Sequence, residues 1–305
     1  MLDKTSLQKD FKHWFNEGNM KTAVVSFSGG MDSTCLVLYL LSKGHSVHAV
    51  SFNYGQSHSI ELKRASQIAK YLQKLGLSID HEIIDLRSVF NMSQSTLVKG
   101  EHAPEGHYAD EMMKTTVVEN RNVIFSSIVF SKALSFAKMN LDMLKYDAGT
   151  DPQQQVSEQD LRDKAKVVIS LGVHAGDHAI YPDCTDESVN MARELFRISN
   201  WDSDLVVYDA PFVDCSKAEV LNIGRSSAKE LGLKNSQINT IFRKSVSCYN
   251  ANETGKSCGK CGTCTERLEA FWANGLNDPA KYVDPDMGKR PKDWGVIPPD
   301  IHEDE

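Results

Sequence analysis

The sequence predicts an α/β fold built on a doubly wound parallel sheet, followed by a small C-terminal module. Two observations predict the sheet. Short apolar runs of β type alternate with amphipathic helical runs along residues 22–231, which is the order that βαβ units produce. Glycines such as Gly44 and Gly76 stand where the first two helical runs end. At 305 residues, the chain is long enough for one large α/β domain with an appendage, or for two domains.

Each element follows from its own residue pattern. The predicted strands cover residues 22–27, 45–55, 78–86, 166–174 and 204–212. The predicted helices cover residues 33–43, 60–76, 121–138, 187–198 and 217–231. In the second helix, for example, Ala65, Ile68 and Leu72 fall on one side, as in an amphipathic helix that packs on a sheet.

We divide the chain into four parts. They are an N-terminal extension (1–21), an α/β domain (22–245), a four-cysteine module (246–275) and a proline-rich tail (276–305). The tail is expected to be irregular and to lie on the surface. Inside the α/β domain, residues 90–119 are polar and unpatterned, which makes them a candidate lid. Residues 138–166 form a polar insertion that we expect to be exposed.

Composition limits the classes of protein that fit. The chain is 41% hydrophobic and 25% charged, and it contains no apolar run of the length that a membrane span needs. Its N-terminus has no pattern of a secretory signal, so we expect a cytoplasmic protein. The formal net charge of -7 argues against duplex DNA as a partner.

A glycine turn follows the first strand and precedes the first helix. Ligands of parallel sheets bind at such strand ends, where the free N–H groups of a helix N-terminus attract anions. Gly29 and Gly30 let the backbone approach a phosphate closely, and Ser28, Ser33 and Thr34 add hydroxyl donors. The turn lacks the residues of a Walker A loop and of a dinucleotide fingerprint. The sequence therefore predicts a phosphate site of another kind.

Asp32 is the unusual residue of this turn. A carboxylate beside phosphates is favourable if it holds Mg²⁺, and the alternative is that Asp32 caps the helix. Taken whole, "SGGMDST" after a first strand resembles the pyrophosphatase (PP) loop of the ATP pyrophosphatases, whose fold is of the adenine nucleotide alpha hydrolase type. The resemblance implies ATP as a ligand, with its pyrophosphate held in the turn.

Four of the seven cysteines cluster near the C-terminus. Cys248, Cys258, Cys261 and Cys264 have the spacing Cys-x9-Cys-x2-Cys-x2-Cys, and such short steps let neighbouring sulfurs reach one ion. Tetrahedral Zn²⁺ fits this set best, an iron–sulfur cluster is the rival, and unmetallated buried thiols are a third interpretation. Since four protein ligands leave no open position, the zinc is expected to be structural, one per chain.

Further motifs extend the resemblance to most of the chain. They are "NYGQSH" with "EL", Arg121 with Asn122, "GVHAGD" with "YPDC", "SKAEV", and "SCYN" before "CGKCGTCTERLEAF". In this order, they resemble the family of the 7-cyano-7-deazaguanine synthases, the nitrile-forming enzymes of queuosine-precursor biosynthesis. The resemblance implies a cytoplasmic, zinc-containing ligase that uses ATP and Mg²⁺ to convert 7-carboxy-7-deazaguanine and ammonia into an amide and then a nitrile. It also makes a homodimer plausible.

The resemblance suggests a role for each matching residue. Asp32, Ser33 and Lys217 are the candidate catalytic residues, Lys217 by neutralising charge that develops on phosphate. The candidate ATP-binding residues are Ser28, Gly29, Gly30, Asp32, Ser33, Thr34, Tyr54, Gln56 and His58. The candidate deazapurine-binding residues are Arg121, Asn122, Asp177, Tyr181, Asp183 and Cys184, with Asp183 suited to an amidine-like ring edge.

Three departures from the family pattern leave two further functions open. Glu119 and Asn120 stand where a proline and a glycine are expected, Thr185 stands where an arginine is usual, and the insertion at 138–166 is long. One alternative is a relative that stops at the amide, or that joins a deazaguanine carboxylate to another amine such as a protein or peptide terminus. The other, from a different class, is an inactive nucleotide- and zinc-binding scaffold.

Overall fold

Five parallel strands form one sheet in the order β3-β2-β1-β4-β5. The computed structural model describes residues 21–56, 60–106, 111–150, 156–178 and 180–293. The strands are β1 (Lys21–Ser26), β2 (His45–Asn53), β3 (Ile79–Asp85), β4 (Val167–Ser170) and β5 (Val206–Asp209). The chain runs outward from β1 in both directions, which confirms the predicted doubly wound sheet. Nearly all of the N-terminal extension, and His58, lie outside the described residues.

Helices cover both faces of the sheet. Among the described residues, the first five α-helices are α1 (Met31–Ser42), α2 (Ile60–Lys74), α3 (Arg87–Phe90), α4 (Thr96–Lys99) and α5 (Arg121–Thr150). The other five are α6 (Glu158–Ala165), α7 (Asp186–Ser199), α8 (Lys217–Glu230), α9 (Asn235–Lys244) and α10 (Gly262–Ala273). None of the helices in the described residues is both long and apolar enough to cross a lipid bilayer.

The central strand β1 separates two hydrophobic cores. Ala23 and Val25 are fully buried on the face covered by α1, α2 and α8, and Val24 is fully buried against α5 on the other face. Because side chains alternate along a strand, a strand buried on both sides is apolar at consecutive positions along its buried part. This explains the continuous apolar run Ala23–Val25 in β1.

Helix α5 is longer than the sequence predicts. It continues past residue 138 to Thr150, where Leu141, Leu144 and Ala148 keep a helical spacing and pack against the core. Helix α6 then packs beside it through Leu161. The described part of the predicted insertion is therefore helical and partly buried, because a sparse apolar stripe is enough to dock a helix. Residues 151–155 lie outside the described part.

The candidate lid is anchored to the rest of the fold. Its buried apolar side chains are Phe90, Leu97, Ala103, Met113 and Val118. The side-chain amide of Asn250 both donates to and accepts from the backbone of Ala103, at 2.8 and 2.9 Å. An isolated antiparallel β-bridge pairs the backbones of Glu105 and Cys261, which adds a second link to the cysteine module. A lid movement stays a prediction, and residues 107–110 lie outside the described part.

The first part of the proline-rich tail packs into the protein instead of lying on its surface. Asp278 accepts two hydrogen bonds from the guanidinium of Arg267, at 2.7 and 3.0 Å. Both side chains are almost fully buried. Arg267 also donates to the Ser245 hydroxyl, and the Tyr282 hydroxyl donates to Asp278. These bonds join the tail to α9 and α10.

Removing one charge of this buried pair should strongly destabilise the protein. We expect Asp278→Asn to lower the free energy of unfolding by about 3–5 kcal/mol, because Arg267 would remain buried without a counter-charge. Denaturant unfolding of the zinc-loaded protein measures this loss. The exposed Asp293→Asn is the matched control and should stay within about 0.5 kcal/mol. A loss below about 1 kcal/mol for Asp278→Asn would contradict the role assigned to this pair.

Candidate active site

A cavity of about 200 Å³ opens at the carboxyl ends of β1, β2 and β4. Most residues that the sequence singles out for ATP, catalysis and the deazapurine line it. They are Ser28, Gly30, Asp32, Ser33, Tyr54, Gln56, Arg121, Asn122, Asp177, Tyr181, Cys184 and Lys217. Gly29, Thr34 and Asp183 are not part of its lining. The cavity has a charged end near the glycine turn and an aromatic end near α5.

The glycine turn (residues 28–30) has the shape that a phosphate site needs. Gly29 has φ +79°, and a Cβ there would lie 2.7 Å from the backbone nitrogen of Ala65, so only glycine fits. The hydroxyls of Ser28 and Ser33 lie 3.0 Å apart in the cavity wall. Thr34 instead donates to the carbonyl of Gly30, at 2.6 Å. Gly29 and Thr34 thus shape the turn, whereas Ser28 and Ser33 face the cavity.

The first two residues of the cysteine module hold this turn from outside. The backbone N–H of Val246 donates to the carbonyl of Gly29, at 3.1 Å. The Ser247 hydroxyl accepts from the N–H of Met31, the first residue of α1, also at 3.1 Å. Since Cys248 follows directly, the phosphate turn and the four-cysteine site belong to one connected unit.

The charged end is centred on Lys217. Its ammonium lies 2.8 Å from the carboxylate of Glu266 and 3.4 Å from that of Asp32. Burial alone would raise the pKa of Asp32, but Lys217 and His174 outweigh it and lower the pKa. Burial opposes the charge of Lys217, yet Asp32 and Glu266 raise its pKa. At neutral pH Asp32 and Lys217 are therefore both charged and hold each other in place.

One oxygen of Asp32 fits a cation. Its Oδ1 is buried and has no hydrogen-bond partner in the described residues, while Oδ2 faces Lys217. Helix α1 has Gly30 as its N-cap residue, and Asp32 makes no capping hydrogen bond. The cap interpretation of Asp32 is therefore wrong. A hard carboxylate oxygen beside a phosphate turn is the donor that Mg²⁺ prefers.

His174 supports the same end of the cavity. Its Nδ1 accepts from the N–H of Gly176, at 3.1 Å, so the ring proton of the neutral form is on Nε2. That nitrogen lies 3.6 Å from Asp177 and 4.0 Å from Asp32. Burial raises the pKa of Asp177, and His174 and Lys217 oppose the shift.

The aromatic end surrounds the guanidinium of Arg121. This group lies 5.8 Å from the ring centres of both Tyr54 and Tyr181. The Tyr181 hydroxyl is 3.1 Å from that of Tyr249 and 2.7 Å from that of Thr116. Burial raises the pKa of Tyr54 to about 12, against the effect of Arg121. The uncharged phenol of Tyr54 thus borders a cation in a slot suited to a flat ring.

Asp183, Asn122 and Cys184 lie together at the start of α5. Asp183 accepts a hydrogen bond from the backbone N–H of Asn122, at 3.2 Å, and the side-chain amide of Asn122 points to the Cys184 sulfur, at 3.3 Å. Burial raises the pKa of Cys184 well above its ordinary value, so this thiol is protonated at neutral pH. Cys184 therefore lines the cavity and is not activated as a nucleophile.

The residues that depart from the family pattern have local structural roles. Asn120 has φ +56°, a left-handed conformation that asparagine tolerates better than other residues with side chains. Glu119 accepts hydrogen bonds from Ser93 and Gln94. Thr185 caps α7 by accepting from the N–H of Ser188, at 3.2 Å. The turn into α5 is therefore formed with these residues in place.

The four cysteines converge as the spacing predicts. Their sulfurs all lie within 4.8 Å of one another, with 3.9 Å between Cys258 and Cys264 and 3.9 Å between Cys248 and Cys261. Tetrahedral zinc with bonds of about 2.3 Å places its sulfurs about 3.8 Å apart. Backbone N–H groups of residues 258, 260 and 261 point at sulfurs. The set fits one structural zinc ion.

Sequence reasoning missed several residues of the cavity. Glu61, Phe125, Gly172, Tyr249 and Thr263 line it without an assigned role. Glu61 belongs to the "EL" that follows "NYGQSH", and Tyr249 belongs to "SCYN", so the motifs contained a signal. Gly172 lies at a close approach of the chain to α1, since a Cβ there would lie 3.1 Å from the backbone nitrogen of Ser33, a tight contact. Nothing in the local pattern marks Phe125 or Thr263.

Comparison with known proteins shows to which family the chain belongs. Residues 22–155 and 160–275 match the family described as "Queuosine biosynthesis protein QueC". The chain belongs to this QueC family. It is 37% identical over 261 residues to the 7-cyano-7-deazaguanine synthase of Marinomonas sp., covering 85% of this chain and 97% of that protein.

Two further relatives carry the same name. The 7-cyano-7-deazaguanine synthase of Hahella chejuensis is 39% identical over 261 residues, which cover 85% of this chain and 92% of the relative. That of Methanoregula boonei is 36% identical over 261 residues, covering 85% and 98%. The similarity thus spans both the sheet and the cysteine module.

Removing Lys217 should weaken the binding of Mg-ATP. Lys217→Ala would leave the carboxylates of Asp32 and Glu266 facing the phosphates without their cation. We expect the affinity, measured by calorimetry, to fall about 10- to 100-fold, which corresponds to a charged hydrogen bond of about 1.5–3 kcal/mol. The exposed Lys229→Ala, on the same helix, is the control and should bind as the wild type does. Equal affinities of all three proteins would contradict the site.

Proposed function

We propose that the chain is an ATP-dependent carbon–nitrogen ligase of the 7-cyano-7-deazaguanine synthase type. It would adenylylate the carboxylate of 7-carboxy-7-deazaguanine, capture the acyl group with ammonia, and convert the amide into the nitrile. The observation that carries this proposal is the name shared by relatives that are 36–39% identical over most of this chain. The cavity supports it, since a phosphate turn and an aromatic slot open into the same space.

ATP would bind at the charged end. The turn at residues 28–30, the Ser33 hydroxyl and the free N–H groups of α1 would hold the departing pyrophosphate. Asp32 would hold Mg²⁺, which supplies positive charge to the phosphates. Gln56 shapes the end of β2, where its side-chain amide bonds the backbone of Phe52 and Tyr54. A role for His58 stays a prediction.

The first step forms an acyl adenylate. A carboxylate oxygen of the acid attacks the α-phosphorus of ATP, and the bond to pyrophosphate breaks. Negative charge grows on the leaving pyrophosphate, where Lys217 is placed to neutralise it. Ammonia then attacks the acyl carbon, AMP leaves, and the amide remains. A buried wall of aromatic side chains would favour the amine over water as the nucleophile.

The second step removes the elements of water from the amide. The amide oxygen attacks a second ATP, pyrophosphate leaves, and loss of AMP together with the two amide protons gives the nitrile. The same residues can serve both steps, because each activates an oxygen of the same carboxyl-derived group. This chemistry requires neither a cysteine nucleophile nor a redox cofactor.

The structure favours neither alternative function over this one. An inactive scaffold has no need for the Lys217 cluster or for the unpaired Asp32 oxygen in a cavity. Glu119, Asn120 and Thr185 keep the local turns formed, so the departures do not by themselves point to another amine. Ammonia as the amine, the homodimer and the cytoplasmic location remain parts of the proposal that rest on the resemblance.

Mass spectrometry of the reaction products tests the proposal. We expect purified protein with Mg-ATP, 7-carboxy-7-deazaguanine and ammonium to release the nitrile with two AMP per nitrile formed. Asp32→Asn, which should abolish AMP formation, excludes a contaminating enzyme. An amide as the final product would support a reaction that stops at the amide, and a conjugate would support coupling to another amine. Absence of acid-dependent AMP would contradict nitrile formation and both of these alternatives.

A further inference from the structure

A carboxylate without an assigned role stands in the aromatic half of the cavity. Glu61 lies in the first turn of α2 and lines the cavity together with Tyr54, Arg121 and Phe125. The carboxylates of Asp32 and Asp177 are engaged by Lys217 and His174 at the other end. No hydrogen bond or ion pair to the Glu61 carboxylate occurs in the described residues. The fold therefore presents a free acceptor to whatever enters the slot.

Arg121 is the positively charged side chain that acts on Glu61. Burial raises the pKa of Glu61 to about 7, and Arg121 is the charged group that opposes the shift. Yet, in the described part of the chain, no carboxylate lies within 4.0 Å of the Arg121 guanidinium. A carboxyl group and a guanidinium that line one cavity without bonding to each other leave hydrogen-bonding capacity that a ligand can satisfy. A ligand for them needs N–H donors for Glu61 and an acceptor for Arg121.

A guanine-type ring has this arrangement on one edge. N1–H and the exocyclic 2-amino group are adjacent donors, and O6 beside them is an acceptor. A carboxylate with two acceptor oxygens matches the two donors, and a guanidinium matches O6. The edge of an adenine-type ring fits poorly, because its N1 lone pair would face a carboxylate oxygen.

We propose that Glu61 selects the guanine-type ring of the acid by accepting hydrogen bonds from N1–H and the 2-amino group, while Arg121 donates to O6. This inference rests on the proposed function, whose substrate it orients. Sequence reasoning assigned the binding of the amidine-like ring edge to Asp183, and this proposal assigns it to Glu61 instead. Asp183 does not line the cavity and accepts from the backbone of Asn122 instead.

The aromatic side chains around the two charges suit a flat ring. Phe125 stacks on Phe52 with ring centres 4.0 Å apart, and both line the cavity. Tyr54 packs against Phe125 with centres 5.8 Å apart. Such a wall contributes apolar contact but does not distinguish one purine-like ring from another. Discrimination must therefore come from the polar groups at the edge, which are Glu61 and Arg121.

The test compares Glu61→Gln with the wild type in steady-state kinetics. We expect the KM for 7-carboxy-7-deazaguanine to rise at least 30-fold, while the KM for Mg-ATP changes less than threefold. A second acid, lacking the 2-amino group, should be disfavoured about 100-fold by the wild type and less than fivefold by the variant. Glu230→Gln, an exposed carboxylate at the far end of α8, is the matched control and should behave as the wild type.

Ring binding separates this inference from the proposed function. Calorimetry with 7-deazaguanine and 7-deazaadenine needs no turnover, and it would be run beside thermal melting to establish that the variant is folded. We expect the wild type to bind 7-deazaguanine at least tenfold more tightly, and Glu61→Gln to lose or invert this preference, since an amide offers one acceptor and one donor.

Three results would overturn the inference. They are an unchanged ring preference in folded Glu61→Gln, an increase in the KM for ATP instead of the acid, and a wild type that binds both rings equally. The second result would place the adenosine of ATP beside Glu61. Failure of the wild type to form AMP, with the ring preference intact, would instead count against the proposed reaction alone.

Discussion

The contact on which the rest of the site depends is the attachment of the glycine turn to the segment before Cys248. Val246 donates to the carbonyl of Gly29, and Ser247 accepts from Met31. A turn with glycine at a positive φ has little stiffness of its own, because glycine has many alternative conformations. Two hydrogen bonds from the segment that leads into the four-cysteine site limit that freedom. We therefore expect zinc bound by the four cysteines to stabilise the phosphate turn.

Charge arrangement is the second constraint on the cavity. At one end, Lys217 lies between Asp32 and Glu266, so a buried ammonium and two carboxylates compensate one another. At the other end, Arg121 and Glu61 share the cavity without a direct bond. The ion pairs of Lys217 can keep their geometry while the charge on a phosphate changes. Arg121 and Glu61 instead have hydrogen-bonding groups that a ligand can satisfy. This contrast supports the proposal that one cavity binds two chemically different substrates.

The sequence predicts those features that depend on local pattern. Strands β1 to β5 and their alternation with helices follow from apolar periodicity, and the zinc ligands follow from spacing. The same reasoning stops α5 at residue 138, because the stripe that includes Leu141 and Leu144 is too sparse among polar residues to stand out. The buried Arg267–Asp278 pair is absent from the prediction for another reason. Each partner looks like an ordinary surface charge until the chain is folded.

The candidate site shows the same limit. Motifs name Asp32 and Lys217, and the fold brings them together. Glu61 stands inside a motif, but a glutamate in the first turn of a helix is also a common helix-dipole partner. Its distinction is that it lines a cavity beside Arg121 and has no hydrogen-bond partner among the described residues, which only the three-dimensional arrangement reveals. The Gly172 approach to Ser33 is likewise a contact between distant parts of the chain.

Hydrogen–deuterium exchange of zinc-loaded and zinc-stripped protein tests the link between the metal site and the phosphate turn most directly. The account predicts that removing zinc speeds exchange at the amides of Met31 and Val246 together, while the amides of β1 remain protected. Faster exchange confined to the cysteine module, with the amide of Met31 as protected as before, would contradict it.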